Sequence, residues 1–143
     1  MKSPKKTQSR TKRRLVFISH HGSDTWVAKQ IETQVKRCGA ETFLDRTHNQ
    51  IGEEFEEKIM TALGKADELL VLLTPWALNR PYVWTEVGVA LGKGMTIVGV
   101  LHGVKPEDPA IPEYLRRRLM IDINDLDQYL KQLRQRTSRK QGM

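Results

Sequence analysis

The residue best suited to chemistry in this sequence is a glutamate inside an apolar segment. Glu86 stands near the start of a helical pattern whose other positions, from Val83 to Leu91, are mostly apolar, so a charge there is costly to bury. Tyr82 comes four residues earlier, so its ring and the Glu86 carboxylate share one side of the helix. A carboxylate beside an aromatic wall suits a ribosyl ligand. The competing interpretation is an ordinary acid that the helix dipole favours in a first turn.

The sequence lacks the residues that several other kinds of functional site require. No GxGxxG or GxxxxGK[ST] loop follows a predicted strand, so neither a dinucleotide fingerprint nor a P-loop is indicated. Ser19 and Ser23 lack the surroundings of a nucleophile elbow. The sequence predicts no metal site, because the lone Cys38 and the four histidines do not have metal-ligand spacing. These histidines are His20, His21, His48 and His102.

The net charge of +7 comes from the two ends of the chain. Residues 1–14 carry seven Lys or Arg and residues 131–143 carry five, without an acid in either segment. The middle holds all seventeen acids and the other twelve bases, so it is acidic. We therefore predict a basic disordered tail over 1–13, one domain over 14–135 and a second basic tail over 136–143. Neither tail has an aromatic residue to stack on bases, which disfavours a nucleic-acid partner.

Composition also bears on the compartment. Cys38 is the sole cysteine, and the N-terminus has no secretory apolar segment. No stretch approaches the roughly 20 apolar residues of a membrane span. The expectation is a soluble cytoplasmic protein without a membrane partner.

Short apolar runs alternate with helical patterns along the chain, which is typical of parallel strands joined by crossover helices. The predicted strands are 14–19, 40–44, 69–73, 95–101 and 119–123. We predict an α/β, doubly wound architecture, with a five-stranded, mostly parallel sheet and helices on both faces. Ligands bind beyond the carboxyl ends of the strands in such sheets. By this rule, the candidate ligand-binding segments are residues 19–24, 45–52 and 74–86.

Several motifs resemble those of TIR (Toll/interleukin-1 receptor) domains, which have a flavodoxin-like fold. Residues 15–19 (LVFIS) resemble the opening strand, and 43–45 (FLD) followed by 51–55 (IGEEF) resemble the second strand and the BB loop. Residues 70–75 (LVLLTP) resemble the third strand and its exit. Tyr82-Val-Trp-Thr-Glu86 matches the W-x-x-x-E element of the bacterial, NAD-degrading type, with Tyr82 at the usual Trp position. The resemblance spans residues 14 to about 135.

The resemblance implies an enzyme that cleaves the nicotinamide–ribose bond of NAD. Glu86 would be the catalytic residue, and its charge would stabilise the oxocarbenium-like cation that forms as nicotinamide leaves. Water as acceptor gives ADP-ribose, and an internal nucleophile gives a cyclic isomer. NAD is then the substrate and no cofactor is expected. The substrate-binding candidates are Tyr82, Phe55, Ser19, His20, His21, Asp45, Arg46 and Trp76.

The resemblance also implies partners. Self-association through the BB loop, residues 45–52, would build an oligomer or filament in the active state, with a separate sensor or effector protein and a role in antiphage or immune signalling. Two alternatives stay open. One is a non-catalytic TIR–TIR adaptor. The other is a nucleoside deoxyribosyltransferase, because Glu86-Val-Gly-Val-Ala-Leu-Gly-Lys93 is similar to that family as well.

Overall fold

The computed structural model describes the backbone of residues 13–45 and 53–142, and the side chains of 13–45 and 56–138. Its strands are β1 (Leu15–Ser19), β2 (Glu41–Leu44), β3 (Glu68–Leu73), β4 (Thr96–Leu101) and β5 (Leu119–Asp122). Its α-helices are α1 (Thr25–Arg37), α2 (Glu53–Lys65), α3 (Pro81–Gly92), α4 (Glu113–Arg116) and α5 (Leu126–Gly142).

The strands form one sheet in the order β2-β1-β3-β4-β5. Every neighbouring pair is parallel, including the pairing of β5 with β4. The predicted five-stranded α/β fold is confirmed. Since β1 and β3 are adjacent and β2 lies beside β1, the carboxyl ends of these three strands meet at one edge of the sheet.

Helices cover both faces of the sheet. All six residues of β3 are buried, as its continuous apolar run predicts. Leu70 and Leu72 pack in a core with residues of α1 and α5. Leu69, Val71 and Leu73 point to the other face and pack with residues of α2 and α3.

The starts and ends of two helices follow from local sequence. Pro81 occupies the first turn of α3, where a missing backbone N–H does no harm. Gly39 lies just after α1 with φ of 94°, a conformation that L side chains rarely adopt, and glycine is the usual residue where a helix ends in this way. Asp24 precedes α1, but its side chain makes no capping hydrogen bond.

A buried ion cluster ties both ends of the chain to the amino edge of the sheet. The fully buried Glu68 carboxylate accepts hydrogen bonds from Arg14 Nε at 2.5 Å, from Arg136 Nε and Nη2 at 3.0 and 3.1 Å, and from the Tyr129 hydroxyl at 2.6 Å. Arg136 belongs to the segment expected as a tail, yet α5 continues to Gly142. The buried Glu68 carboxylate accounts for the position of Arg136, because a buried charge needs cationic partners. The predicted N-terminal tail lies outside the described residues, apart from Arg13.

No helix in the part of the chain that the structure describes is long and apolar enough to cross a membrane.

Candidate active site

Buried polar side chains collect where β1, β2 and β3 end. Ser19 is the last residue of β1, Asp45 follows β2, and Thr74 follows β3. Each of these side chains is less than 5% exposed. Glu86 comes from α3, which packs on β3, and is fully buried. These groups lie at the carboxyl edge, where doubly wound folds bind ligands.

Glu86 is held by a hydrogen bond from the end of β1. The Ser19 hydroxyl donates to Glu86 Oε1 at 2.5 Å. Among the described residues, no N–H group and no Ser, Thr or Tyr hydroxyl donates to Glu86 Oε2. The Ser19 hydroxyl therefore fixes one oxygen of the carboxyl group, and the Asp45 carboxyl is the neighbour with which the group shares a further hydrogen bond.

The surroundings of Glu86 favour its protonated form. Burial is the main cause that raises its pKa from 4.5 to about 10, and the Asp45 carboxyl adds to the rise through a hydrogen bond and through its charge. The hydrogen bond from Ser19 and the positive charge of Arg80 act in the opposite direction. In this closed arrangement Glu86 therefore carries a proton at neutral pH and shares it with Asp45.

Tyr82 lies one helical turn before Glu86, as the spacing predicts, and its ring is half-buried against the core. Its hydroxyl is buried and has no hydrogen-bond partner among the described residues. Burial, followed by the charges of Glu86, Asp45 and Glu56, raises the pKa of Tyr82 to about 12. The phenol is therefore a neutral hydrogen-bond donor placed among carboxyl groups.

The two histidines after β1 have different environments. His20 is buried, and its Nδ1 donates to the carbonyl oxygen of His21 at 2.8 Å. His21 is partly exposed, and its Nδ1 accepts from the backbone N–H of Ser23 at 2.9 Å. His21 thus caps the short 3-10 turn Gly22–Asp24, which gives it a structural task. His20 directly follows Ser19 and is 2% exposed.

Asp24 and Thr74 form a contact that the sequence did not reveal. The Thr74 hydroxyl donates to Asp24 Oδ2 at 2.6 Å and accepts from the backbone N–H of Ala77 at 3.1 Å. This bridge joins the loop after β1 to the loop after β3, and it engages the Asp24 side chain, which makes no capping hydrogen bond to α1. Arg80 was also missed, although its charge acts on both Glu86 and Tyr82.

The other candidate residues named from the sequence are Trp76, Arg46, Phe55 and Asp45. Trp76 is 61% exposed at the surface. Arg46 lies outside the described residues, as does the side chain of Phe55, although its backbone belongs to α2. The Asp45 side chain is only 4% exposed.

A groove of about 430 Å³ lies beside the site, between α2 and α3. Tyr82 and Thr85 line one wall, and Glu56, Glu57 and Met60 line the other. A larger groove, of about 690 Å³, lies between the edge strand β2 and α2 and is not lined by Glu86. Among the described residues, no three His, Cys, Asp or Glu side chains are grouped as metal ligands would be.

The structure is a parallel, doubly wound α/β domain, and Glu86 lies buried at the carboxyl edge of its sheet, where domains of this architecture bind ligands. Comparison with known families makes the assignment specific: the family model described as TIR domain matches residues 16–136. The chain belongs to the TIR domain family.

Individual relatives agree with this assignment. A curated protein of Brachypodium distachyon, named a probable 2′ cyclic ADP-D-ribose synthase, is 25% identical over 122 residues. The match covers 84% of this chain but 54% of that protein, so the chain spans about half the length of its relative.

Solved structures share the fold at low sequence identity. The TIR domain of a Toll-related receptor from Hydra magnipapillata has a TM-score of 0.64 and 20% identity, covering 83% of this chain and 97% of that one. The TIR domains of the activated Roq1 resistosome have a TM-score of 0.57 and 19% identity, covering 91% and 84% respectively.

Proposed function

We propose that this domain cleaves the nicotinamide–ribose bond of NAD and that Glu86 is its catalytic residue. The observation that carries the proposal is the position of the Glu86 carboxyl at the strand ends. There Ser19 donates a hydrogen bond to one oxygen, and the Asp45 carboxyl shares a second hydrogen bond with the group. A carboxyl group oriented in this way at the edge of the sheet where ligands bind is suited to face a positively charged sugar.

The reaction needs the ionised form of Glu86. Bringing a group of pKa about 10 to its charged form at pH 7 costs about 4 kcal/mol. The nicotinamide–ribose end of NAD is cationic, so its entry beside Glu86 offsets this cost by favouring the carboxylate. When Glu86 ionises, its proton is transferred to the neighbouring Asp45 carboxylate.

Bond cleavage then follows the logic of a glycosidase. The carbon–nitrogen bond breaks with both electrons going to nicotinamide, which departs neutral. The positive charge that develops on the ribose faces the Glu86 carboxylate. Water attacks this carbon and releases a proton, which yields ADP-ribose; attack by a group of the same molecule yields a cyclic isomer. The name of the Brachypodium relative supports the cyclic outcome as a candidate.

The active state that we propose is an assembly. The BB loop, most of which lies outside the described residues, would contact a neighbouring protomer of the same chain. Activity should then rise more steeply than in proportion to protein concentration. A separate sensor or effector protein, a cytoplasmic location and a role in antiphage or immune signalling belong to the same proposal.

A non-catalytic adaptor is the second candidate, and one observation favours it. Glu86 is fully buried in this arrangement and carries a proton at neutral pH. A domain that stays closed would bind other TIR domains without turnover.

Product analysis separates the two candidates. NAD is incubated with concentrated wild-type protein, with Glu86→Ala and with Glu113→Gln, a control that changes an exposed glutamate on α4. We expect nicotinamide with ADP-ribose or a cyclic isomer from the wild type and the control, and neither from Glu86→Ala. Self-association of the wild type without any nicotinamide release would instead establish the adaptor.

A further inference from the structure

Exposed positive charge collects at the amino edge of the sheet, opposite to the edge that holds Glu86. All five strands begin at this edge, and the helices that connect parallel strands end near it because they run back from the carboxyl edge. The name amino-edge patch is used here for six exposed bases near these strand starts and helix ends. They are Arg37, Lys65, Lys93, Arg117, Arg118 and Arg134.

The acids beside the amino-edge patch offset little of its charge. Glu41 is exposed at the start of β2, whereas Asp67 accepts a hydrogen bond from the Leu15 backbone N–H at 2.7 Å and Glu68 is buried among its own cations. The sequence over residues 1–12 adds five Lys or Arg and no acid, and it is connected to the fold at this edge. The patch is therefore cationic in net charge.

Helix dipoles account for only part of the patch. A base at the C-terminal end of a helix is stabilised by the dipole, which explains Arg37, Lys65 and Lys93. Arg117 and Arg118 instead follow α4, a helix of four residues with a small dipole, and they precede β5. None of the salt bridges among the described residues involves either of them. Both guanidinium groups are therefore available to an anion outside the fold.

A groove of about 410 Å³ opens at this edge between β4, β5 and α5. The polar side chains that line it are those of Thr96, Arg118, Gln132 and Arg136. Arg136 uses Nε and Nη2 to bind Glu68, whereas Arg118 is exposed. Guanidinium, amide and hydroxyl groups in a concave groove are suited to donate hydrogen bonds to phosphate oxygens.

The chemistry of the patch fits the backbone of a nucleic-acid duplex better than an anionic membrane. Helices that bind membrane surfaces combine bases with large apolar side chains, but the two exposed tryptophans, Trp26 and Trp76, follow β1 and β3 at the carboxyl edge. A flat bilayer also cannot enter the groove. The chain ends lack aromatic residues, which disfavoured a nucleic-acid partner in the sequence, but contacts to duplex phosphates need positive charge and no stacking.

We propose that the amino-edge patch binds the phosphate backbone of double-stranded nucleic acid without reading its sequence, and that Arg117 and Arg118 contact phosphates. Acids at the other edge, such as Glu56 and Asp125, repel a polyanion and orient the domain with its amino edge toward the duplex. The bound duplex leaves the site around Glu86 open. This inference does not rest on the proposed function, because binding requires no turnover of NAD.

The test measures the affinity of the full chain for short labelled duplexes of DNA and of RNA by fluorescence anisotropy, at salt concentrations from about 50 to 200 mM. Wild type is compared with the double variant Arg117→Gln/Arg118→Gln. Loss of two phosphate contacts should weaken binding about 60-fold near 0.1 M salt and reduce the slope of log Kd against log salt by about 2. Binding of either duplex supports the proposal, and the comparison of DNA with RNA identifies the source of the phosphates.

The matched control is Lys29→Gln/Lys105→Gln, which removes the same charge from exposed positions away from the amino edge. It should bind as the wild type does, because charges more than about 10 Å from the duplex are screened at 0.1 M salt. All three proteins should have the same Tm, since the substituted side chains are exposed. Equal weakening of both double variants would show only a general attraction of a basic chain for a polyanion and would overturn the proposal.

Two further results would also overturn it. One is the absence of wild-type binding to both duplexes. The other is binding to vesicles of equal parts phosphatidylserine and phosphatidylcholine in preference to both duplexes, which would identify the patch as a membrane surface. Neither result bears on NAD cleavage, which is measured without nucleic acid.

Discussion

Replacement of Glu86 by glutamine should make the domain more stable at neutral pH and flatten the dependence of its stability on pH. Glutamine keeps the shape of a protonated glutamate, because its amide can donate to Asp45 and its carbonyl oxygen can accept from Ser19. It also removes the ionisation that burial opposes. A stabilising substitution at a catalytic position is expected where function requires an unfavourable buried charge.

The sign and size of the effect follow from proton binding. The pKa of Glu86 is about 10 in the folded protein and 4.5 in the unfolded chain. At pH values between 4.5 and 10, Glu86 is therefore protonated in the folded state and ionised in the unfolded state. The free energy of unfolding therefore falls as pH rises through this window, by about 1.4 kcal/mol per pH unit at most. Between pH 4.5 and 7 the loss approaches roughly 3 kcal/mol. Below pH 4.5 the two proteins should be equally stable.

Urea unfolding at several pH values between 4.5 and 8 measures this effect. The difference in free energy of unfolding between Glu86→Gln and wild type should grow with pH, while Glu113→Gln follows the wild type throughout. Parallel curves for Glu86→Gln and wild type, or a variant that is less stable at pH 7, would refute the account of Glu86 as a buried, protonated carboxyl group.

Three further substitutions test other contacts. Ser19→Ala removes the hydrogen bond that lowers the pKa of Glu86. The pH profile of NAD cleavage should therefore shift to higher pH, and the rate at pH 7 should fall about 10-fold or more. An unshifted pH profile would contradict this role of Ser19. Glu68→Ala leaves Arg14, Arg136 and Tyr129 without their shared acceptor. The free energy of unfolding, measured in urea, should fall by about 3–5 kcal/mol. A fall below about 1 kcal/mol would show that the cluster does not stabilise the fold. Thr74→Val breaks the bridge to Asp24 and should cost about 1–3 kcal/mol, with unchanged stability as the contrary result.

Local patterns predicted the fold well because each element carries its own signal. A continuous apolar run such as that of β3 is typical of a strand buried on both faces, and a glycine such as Gly39 is typical of a helix end. The strand-end rule directed attention to the segments that contain Ser19, Asp45 and Glu86. The position of Glu86 among apolar neighbours predicted that a carboxyl group there would be costly to ionise, and the structure buries it fully.

Long-range partners were beyond such reasoning. The bond between Asp24 and Thr74 joins residues 50 positions apart, and no local pattern pairs them. Arg136 lies in a segment whose charge suggested a solvated tail, but Glu68, at the start of β3, draws it into the fold. The approach of Asp45 to Glu86 depends on how β2, β1 and β3 are ordered in the sheet, which the order of elements along the chain does not specify.

The initial rate of nicotinamide release from NAD at high protein concentration tests the central claim most directly, with wild type, Glu86→Gln and Glu113→Gln compared at equal concentration. Wild type and Glu113→Gln should release nicotinamide at equal rates, while Glu86→Gln, though folded and at least as stable, should fall to the rate of NAD alone. Release by Glu86→Gln at the wild-type rate would contradict the claim that this carboxylate stabilises the cation formed on the ribose.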